Sequence, residues 1–344
     1  MLNSSSPLIL VTGASGYIAM HTVLQLLAQG YKVRGTLRTS SNAEQMRTTL
    51  AKHSKMSNVV EFAYADLTQD AGWAKAVQGC EYILHLASPF PLGDPKDENE
   101  LIAPAVDGTL RVLRAANAAK VKRVVFLSSM LAVRAGHEGE SRIFDERDWA
   151  VLKETIGVYA KSKILAERAA WDFIHSAENN NHVELTVINA SSVFGPFLDS
   201  HYATSSELVS TLMRRQVPGV ARIKNAVVDV RDLATALIAA MISPQAADQR
   251  FCCVGAMCWM QDIATILRQH FVTRGYNVPT RVLPDLLLRL LSLFDPKIRL
   301  IVHELGWDYT VSTKHIETIL GWQARPLEEM LVDMADSMMQ LGMV

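Results

Sequence analysis

Several scarcities narrow this sequence at once. Its 344 residues include only four cysteines, Cys80, Cys252, Cys253 and Cys258. None stands in a Cys-x-x-Cys pair, and no Cys/His cluster has zinc-ligand spacing, so neither a metal site nor a disulfide framework is expected. Reduced, buried thiols in a cytoplasmic protein are the expectation. Neither charge is in excess: Lys plus Arg total 34, Asp plus Glu total 35, and the formal net charge is -1. The footprint of a nucleic-acid or anionic-membrane binder is therefore missing. No run approaches the ~20 apolar residues that cross a bilayer. The most apolar helical stretch, 286–294, is interrupted by Arg289 and Ser292. No basic region precedes the first apolar run at 8–11, so no secretory leader is expected. Internal repeats and low-complexity segments are lacking too.

What is present is globular material. Hydrophobic residues make up 49% of the chain, and the length suggests about two domains. In the first half, short apolar runs alternate with helical patterns. Strands are expected at 8–11, 32–37, 59–63, 82–86, 124–127 and 185–189. Helices are expected at 17–29, 43–53, 73–77, 101–119 and 158–178. Such alternation means βαβ units and a parallel sheet buried on both faces, which is the doubly wound α/β (Rossmann) class. After Gly195-Pro196 the pattern loosens into helices at 205–215, 233–242, 260–270 and 327–339. Residues 1–195 are read as a nucleotide-binding domain and 196–344 as a smaller, mostly helical substrate lobe. Part of 225–257, near 227–230, is expected to return to the main sheet.

The first chemical signal is Thr12-Gly13-Ala14-Ser15-Gly16-Tyr17-Ile18-Ala19, after the first strand and opening the first helix. Gly13 suits the tight turn, Gly16 lets backbone approach a pyrophosphate, and the small Ala19 permits close helix–strand packing. The helix N-terminus turns unpaired N–H groups and a positive dipole end toward phosphate. No Gly-Lys-Ser/Thr follows, which excludes a P-loop. At the end of the second strand, NAD-binding versions carry an acid for the ribose 2′-hydroxyl. Here Arg38 follows Leu37 instead, and it can pair with a 2′-phosphate, which points to NADP. A charge-assisted bond of about 1.5–3 kcal/mol gives roughly 10- to 150-fold preference. Asp66-Leu67, after the third strand, stands where an adenine edge is contacted, though Asp66 could equally be a local cap.

The second signal is Tyr159-Ala160-Lys161-Ser162-Lys163. Tyr159 and Lys163 are four apart and share a helix face, whereas Lys161 points elsewhere. A carbonyl reduction needs a proton donor for the alkoxide oxygen. A Lys ammonium beside a phenol, whose ordinary pKa is ~10, is expected to lower it toward working pH. The strand 124–127 leads into Ser128-Ser129, at a strand end where ligands meet such sheets. Ser129 is preferred over Ser128 as the hydroxyl that orients the substrate oxygen.

Together these motifs resemble the extended short-chain dehydrogenase/reductase family. The chain is most similar to its branch of dihydroflavonol 4-reductases, cinnamoyl-CoA reductases and yeast-type aldehyde or methylglyoxal reductases. The carrying residues also include His85-Leu86-Ala87-Ser88-Pro89 and Val193-Phe194-Gly195-Pro196. The resemblance implies Ser129, Tyr159 and Lys163 as catalytic residues, with Lys163 also holding the nicotinamide ribose. It implies Thr12, Gly13, Ser15, Gly16, Tyr17, Ile18, Arg38, Asp66, Leu67, Leu86, Ala87, Ser88 and Val193 around NADP(H). Ala190 replaces the family's usual Pro, Met130 replaces a small residue, and Ala19 replaces a Gly.

Phe90 and, in the second half, Phe197, Tyr202, Met213 and Trp259 are candidate pocket walls or ordinary core. Phe90 and Tyr202 are taken as substrate-binding. Asp229 and Asp232 are read as structural, in a cap or an ion pair with Arg231. No Arg/Lys cluster stands out in this lobe, which favours a small neutral carbonyl compound. The leading expectation is an NADPH-dependent aldehyde or ketone reductase without a metal, as a monomer or homodimer. A sugar-nucleotide epimerase or dehydratase of the same fold and a non-catalytic NADP sensor are the alternatives.

Overall fold

Each expected βαβ unit appears in the chain. β1 (Leu8–Val11), α1 (Tyr17–Ala28), β2 (Lys32–Leu37), α2 (Ser41–His53) and β3 (Glu61–Tyr64) make the first half of the sheet. α3 (Trp73–Val77), β4 (Tyr82–His85), α4 (Asn99–Ala118), β5 (Arg123–Ser129) and α5 (Leu131–Arg134) follow. Then come β6 (Ile143–Phe144), α6 (Val158–His175), β7 (Glu184–Ala190) and β8 (Ser192–Phe194). The remainder holds α7 (Thr204–Met213), β9 (Lys224–Asp229), α8 (Val230–Ile242), β10 (Gln249–Cys253), β11 (Ala256–Trp259) and α9 (Met260–Phe271). It closes with α10 (Asp285–Leu291), α11 (Pro296–Ile301), β12 (Thr310–Val311), α12 (Lys314–Leu320) and α13 (Leu327–Gln340). This computed structural model describes residues 6–55, 59–89, 97–154, 156–200 and 204–344.

Seven strands form one parallel sheet in the order β10-β7-β5-β4-β1-β2-β3. Pleat alternation buries both faces. Ile9, Val11, Leu84 and Val125 pack against α1 and α8. Their neighbours Leu10, Ile83, Val124 and Phe126 pack against α3, α4 and α6. The chain runs outward from β1 to β3, then returns to β4 on the other side of β1. Ligands bind such sheets at that reversal, outside the carboxyl ends of the strands.

The segment 225–257 divides between two sheets. Gln249–Cys253 supplies the seventh strand, parallel to β7. Lys224–Asp229, which covers most of the 227–230 stretch expected in the main sheet, instead joins β8 and β11 in a three-stranded sheet. Val227 and Val228 are apolar enough for either sheet; pairing with β8 decides it. This smaller layer packs through Phe194, Val209, Ile263, Leu267 and Met334.

The two layers are pinned where β8 ends. Tyr17 Oη donates to Gly195 O at 2.8 Å, and His21 Nε2, one helical turn on, donates to Pro196 O at 2.9 Å. Gly195 has φ +113°, and a Cβ there would lie 2.9 Å from an Asp229 carboxylate oxygen. That carboxylate caps α8 through Arg231 N (2.7 Å) and pairs with the Arg231 guanidinium at 2.8 Å. Asp232 pairs with Arg325 at 2.8 Å.

Candidate active site

The site is built from strand ends. At the end of β1, Gly13 takes φ +62°, and a Cβ there would stand 3.1 Å from Ala87 at the end of β4. The amides of Gly13 and Ala14 go to Thr36, through its Oγ1 and O, each at 3.0 Å. The first helical turn, Tyr17 to Ala19, has no side-chain cap and no acid. Its N–H groups have no intrahelical partner, so they face outward with the positive end of the α1 dipole. This cradle suits a pyrophosphate.

The side chains of Thr12 and Tyr17, both expected near the cofactor, brace the surrounding strands. Thr12 Oγ1 accepts from Leu86 N (3.0 Å) and Ala87 N (2.9 Å) and donates to His85 Nδ1 at 2.9 Å. One proton and two lone pairs are all a hydroxyl has. The Thr12 side chain therefore ties β1 to β4 and has nothing left for a ligand. Burial pushes His85 down to about 3, so its ring is neutral. The Tyr17 ring stacks on Phe197 at 4.7 Å, and its hydroxyl goes to Gly195 O. Tyr17 still borders the cavity.

Arg38 is exposed just beyond β2. Its charge helps hold Asp66, beyond β3, below the usual carboxylate range, although hydrogen bonds from Thr68 do more. Asp66 Oδ1 accepts from Thr68 N (2.8 Å) and Thr68 Oγ1 (2.7 Å), so it is a local cap. Leu67 O accepts from Arg111 at 2.9 Å.

At the end of β5 the two serines part ways. Ser128 donates to the buried carboxylate of Glu167. Ser129 lines a cavity of about 940 Å³ with Tyr159, Gly13, Gly16, Ile18, Leu86 and Val193. Ser129 Oγ accepts from Leu131 N at 3.2 Å, which leaves its proton to donate. Tyr159, Lys163 and Glu167 occupy successive turns of one face of α6. Lys163 Nζ lies 5.7 Å from the Tyr159 ring centre. Lys161 instead forms a surface pair with Glu98 at 2.7 Å.

The expected lowering of the Tyr159 pKa is not what this geometry gives. Burial pushes Tyr159 up to about 12. Burial also brings Lys163 down to about 8, against the attraction of Glu167. Desolvation is the leading influence on both groups, and the ammonium stands beside the ring rather than at the hydroxyl. Tyr159 is thus held protonated, the form a reduction needs. The titrating partner is Lys163. As pH rises through about 8 its charge is lost, so any proton transfer from Tyr159 that leans on this charge should fall on the alkaline side of that value. In a pH–rate profile, Lys163→Arg should flatten this limb in whatever activity survives, since a guanidinium stays protonated.

Phe197 and Met213 belong to the core of the small lobe, and neither they nor Trp259 line the cavity. Phe90 and Tyr202 lie outside the described residues. Sequence reasoning missed Glu167, Arg134, Lys224, Asn225 and Tyr309; the last four line the cavity. The spacing of Glu167, one turn beyond Lys163, was the available signal. Arg134 follows Ser129 closely enough to have been suspected. Tyr309 offered no cue. Among the described residues, no cluster of three His, Cys, Asp or Glu could hold a metal ion. No described helix is long and apolar enough to cross a membrane.

Fold and site together define a dinucleotide-dependent enzyme scaffold of the short-chain dehydrogenase/reductase type. Residues 9–253 match the NAD dependent epimerase/dehydratase family, and the chain belongs to that family, in its extended short-chain dehydrogenase/reductase branch. It is 30% identical to the NADPH-dependent methylglyoxal reductase Gre2 of Saccharomyces cerevisiae, over 96% of this chain and 98% of that one. It is 32% identical to dihydroflavonol 4-reductase of Gerbera hybrida, over 82% of this chain and 76% of that one. The solved structure of yeast Gre2 complexed with NADPH superposes with a TM-score of 0.81 at 28% identity, covering 98% of this chain and all of that one.

Proposed function

We propose that this protein is an NADPH-dependent carbonyl reductase acting on an aldehyde or ketone, with Ser129, Tyr159 and Lys163 as its catalytic residues. One observation carries the reading. Ser129 and Tyr159 open into the same cavity as the glycine cradle, with Lys163 one turn behind Tyr159. The NADPH-dependent relatives support it.

The residues present fit a bound NADP(H). The first turn of α1 would hold its pyrophosphate, with Ser15 and Gly16 contributing to the same cradle. Arg38 would pair with the 2′-phosphate, at the strand end where NAD-binding versions carry an acid. Ala87 and Ser88, which follow β4, would hold the ribose. When bound, the cofactor supplies hydride to the carbonyl carbon. Ser129 Oγ–H donates to the carbonyl oxygen and fixes its position. The Tyr159 hydroxyl gives its proton to that oxygen as the alcohol forms. The Lys163 ammonium stabilises the phenolate left behind. The Glu167 carboxylate one turn below attracts the ammonium, which favours the protonated lysine.

Cofactor choice tests the nucleotide end. Arg38 is exposed, so solvent screening places its effect at the low end of the range for charge-assisted pairs. Arg38→Ala should raise the KM for NADPH about tenfold and leave that for NADH within about twofold. Initial rates with both cofactors check this. Equal loss with both would contradict a 2′-phosphate contact.

The four cysteines are free and buried, and burial raises their thiol pKa values. This fits unreactive thiols in the cytoplasm, where we place the protein. It acts as a monomer or as a homodimer.

A further inference from the structure

The end of the cavity away from the glycine cradle is more cationic than the sequence suggested. It is formed by α5, the start of β9 and the residue just ahead of β12. Arg134, Lys224, Asn225 and Tyr309 line it. The Arg134 side chain is 13% exposed. Its guanidinium carbon sits 5.3 Å from the Trp307 ring centre and 5.0 Å from that of Tyr309. One nitrogen, Nη1, donates to Glu304 Oε1 at 3.0 Å. Lys224 Nζ donates to Asp308 Oδ1 at 2.6 Å and lies 5.8 Å from the Trp259 ring centre.

The counter-ions stand behind. Neither Glu304 nor Asp308 is among the residues that line the cavity. Each holds its cation in place while the cation faces inward. Arg and Lys have only donors, so this wall calls for acceptor oxygens. Asn225 adds an amide beside them, itself tied to Ile223 O at 3.3 Å. The hydroxyl of Tyr309 is buried beside them. Glu207 is the only acid among the described lining residues, and it is exposed at the rim.

We propose that Arg134 and Lys224 form a subsite for a carboxylate on the carbonyl substrate, which makes the preferred substrate an oxo acid rather than a neutral aldehyde or ketone. The inference rests on the reductase reading and names its substrate class. Two preset cations, aligned by their own acids, recognise a carboxylate through charge-assisted bonds stronger than those to an ester oxygen.

Matched pairs test it: acetoacetate against ethyl acetoacetate, and succinate semialdehyde against its methyl ester, each with NADPH. The wild-type protein should favour the free acids at least tenfold in kcat/KM. Raising the salt concentration should shrink that ratio. Arg134→Met should bring the acid-to-ester ratio close to one. Lys224→Met is the second variant, should loss of the Arg134 stack unfold the protein; it should lower the ratio at least threefold. Esters reduced as well as acids, or a ratio unmoved by the folded variants, overturns the subsite alone. Competitive inhibition by UDP-glucose, with no preference for acids, overturns it in favour of a diphosphate. If neither acids nor esters nor a wider aldehyde and ketone panel oxidise NADPH, the reductase reading fails and takes the subsite with it.

Discussion

Tyr159→Phe should cut turnover about a hundred- to ten-thousandfold, the usual worth of a positioned general acid. The expectation follows from the geometry of one face of α6. Tyr159 borders the same cavity as Ser129 and the glycine cradle, and burial keeps its hydroxyl protonated. Phenylalanine removes one oxygen and leaves the ring beside Lys163 in place. Affinity for NADPH should therefore change by less than about threefold, since the cradle on α1 and Arg38 are untouched. Quenching of protein fluorescence by NADPH, set beside steady-state rates, separates the two quantities. Unchanged turnover would remove Tyr159 from the chemistry.

The largest effect on stability should come from Glu167. Its carboxylate is wholly buried and joins three elements. It pairs with Arg250 of β10 at 2.7 Å, accepts from Asn189 of β7 at 2.7 Å, and accepts from Ser128 of β5. Asn189 in turn donates to Ser129 O at 3.2 Å. Arg250 stacks on Trp149 at 3.8 Å and donates to the carbonyls of Glu146 and Asp148. Glu167→Leu leaves the Arg250 charge buried without its partner, which costs about 3–5 kcal/mol. The double variant Glu167→Leu/Arg250→Met removes both charges and should recover more than half of that loss. Urea denaturation of the wild type, both single variants and the double variant measures the coupling. A single-variant loss under about 1 kcal/mol would mean that the pair behaves like a surface salt bridge.

The half of the fold that was legible in the sequence is the half ruled by repetition. Strands β1, β2, β4, β5 and β7 are apolar runs flanked by glycine or helix signals, and nothing local competes with them. The glycine cradle and the Tyr/Lys spacing were legible for the same reason, because each places its groups by neighbouring residues alone. The choice between Ser128 and Ser129 is also local: consecutive strand residues face opposite ways, so only one can reach the cavity. What escaped depends on long-range pairing. Nothing in Arg250-Phe251-Cys252-Cys253 says that it will lie beside β7 rather than next to β9. The fate of the Lys163 and Tyr159 charges was misread because sequence spacing carries proximity but not burial. Arg134 and Lys224 stand ninety residues apart in the chain, so no window along the sequence joins them. Thr12 and Tyr17 looked like ligands because they lie in the motif, yet their side chains brace it.

The central claim is that this cavity moves hydride from NADPH to a carbonyl and finishes the step with a proton from Tyr159. The most direct measurement is the stoichiometry of nicotinamide oxidation against alcohol formed, in one reaction with an oxo acid or an aldehyde. One NADP⁺ released for each alcohol, lost in Tyr159→Phe, is the predicted result. Product formed with no net change in the nicotinamide would contradict it, because the cofactor would then be returning its hydride within each cycle.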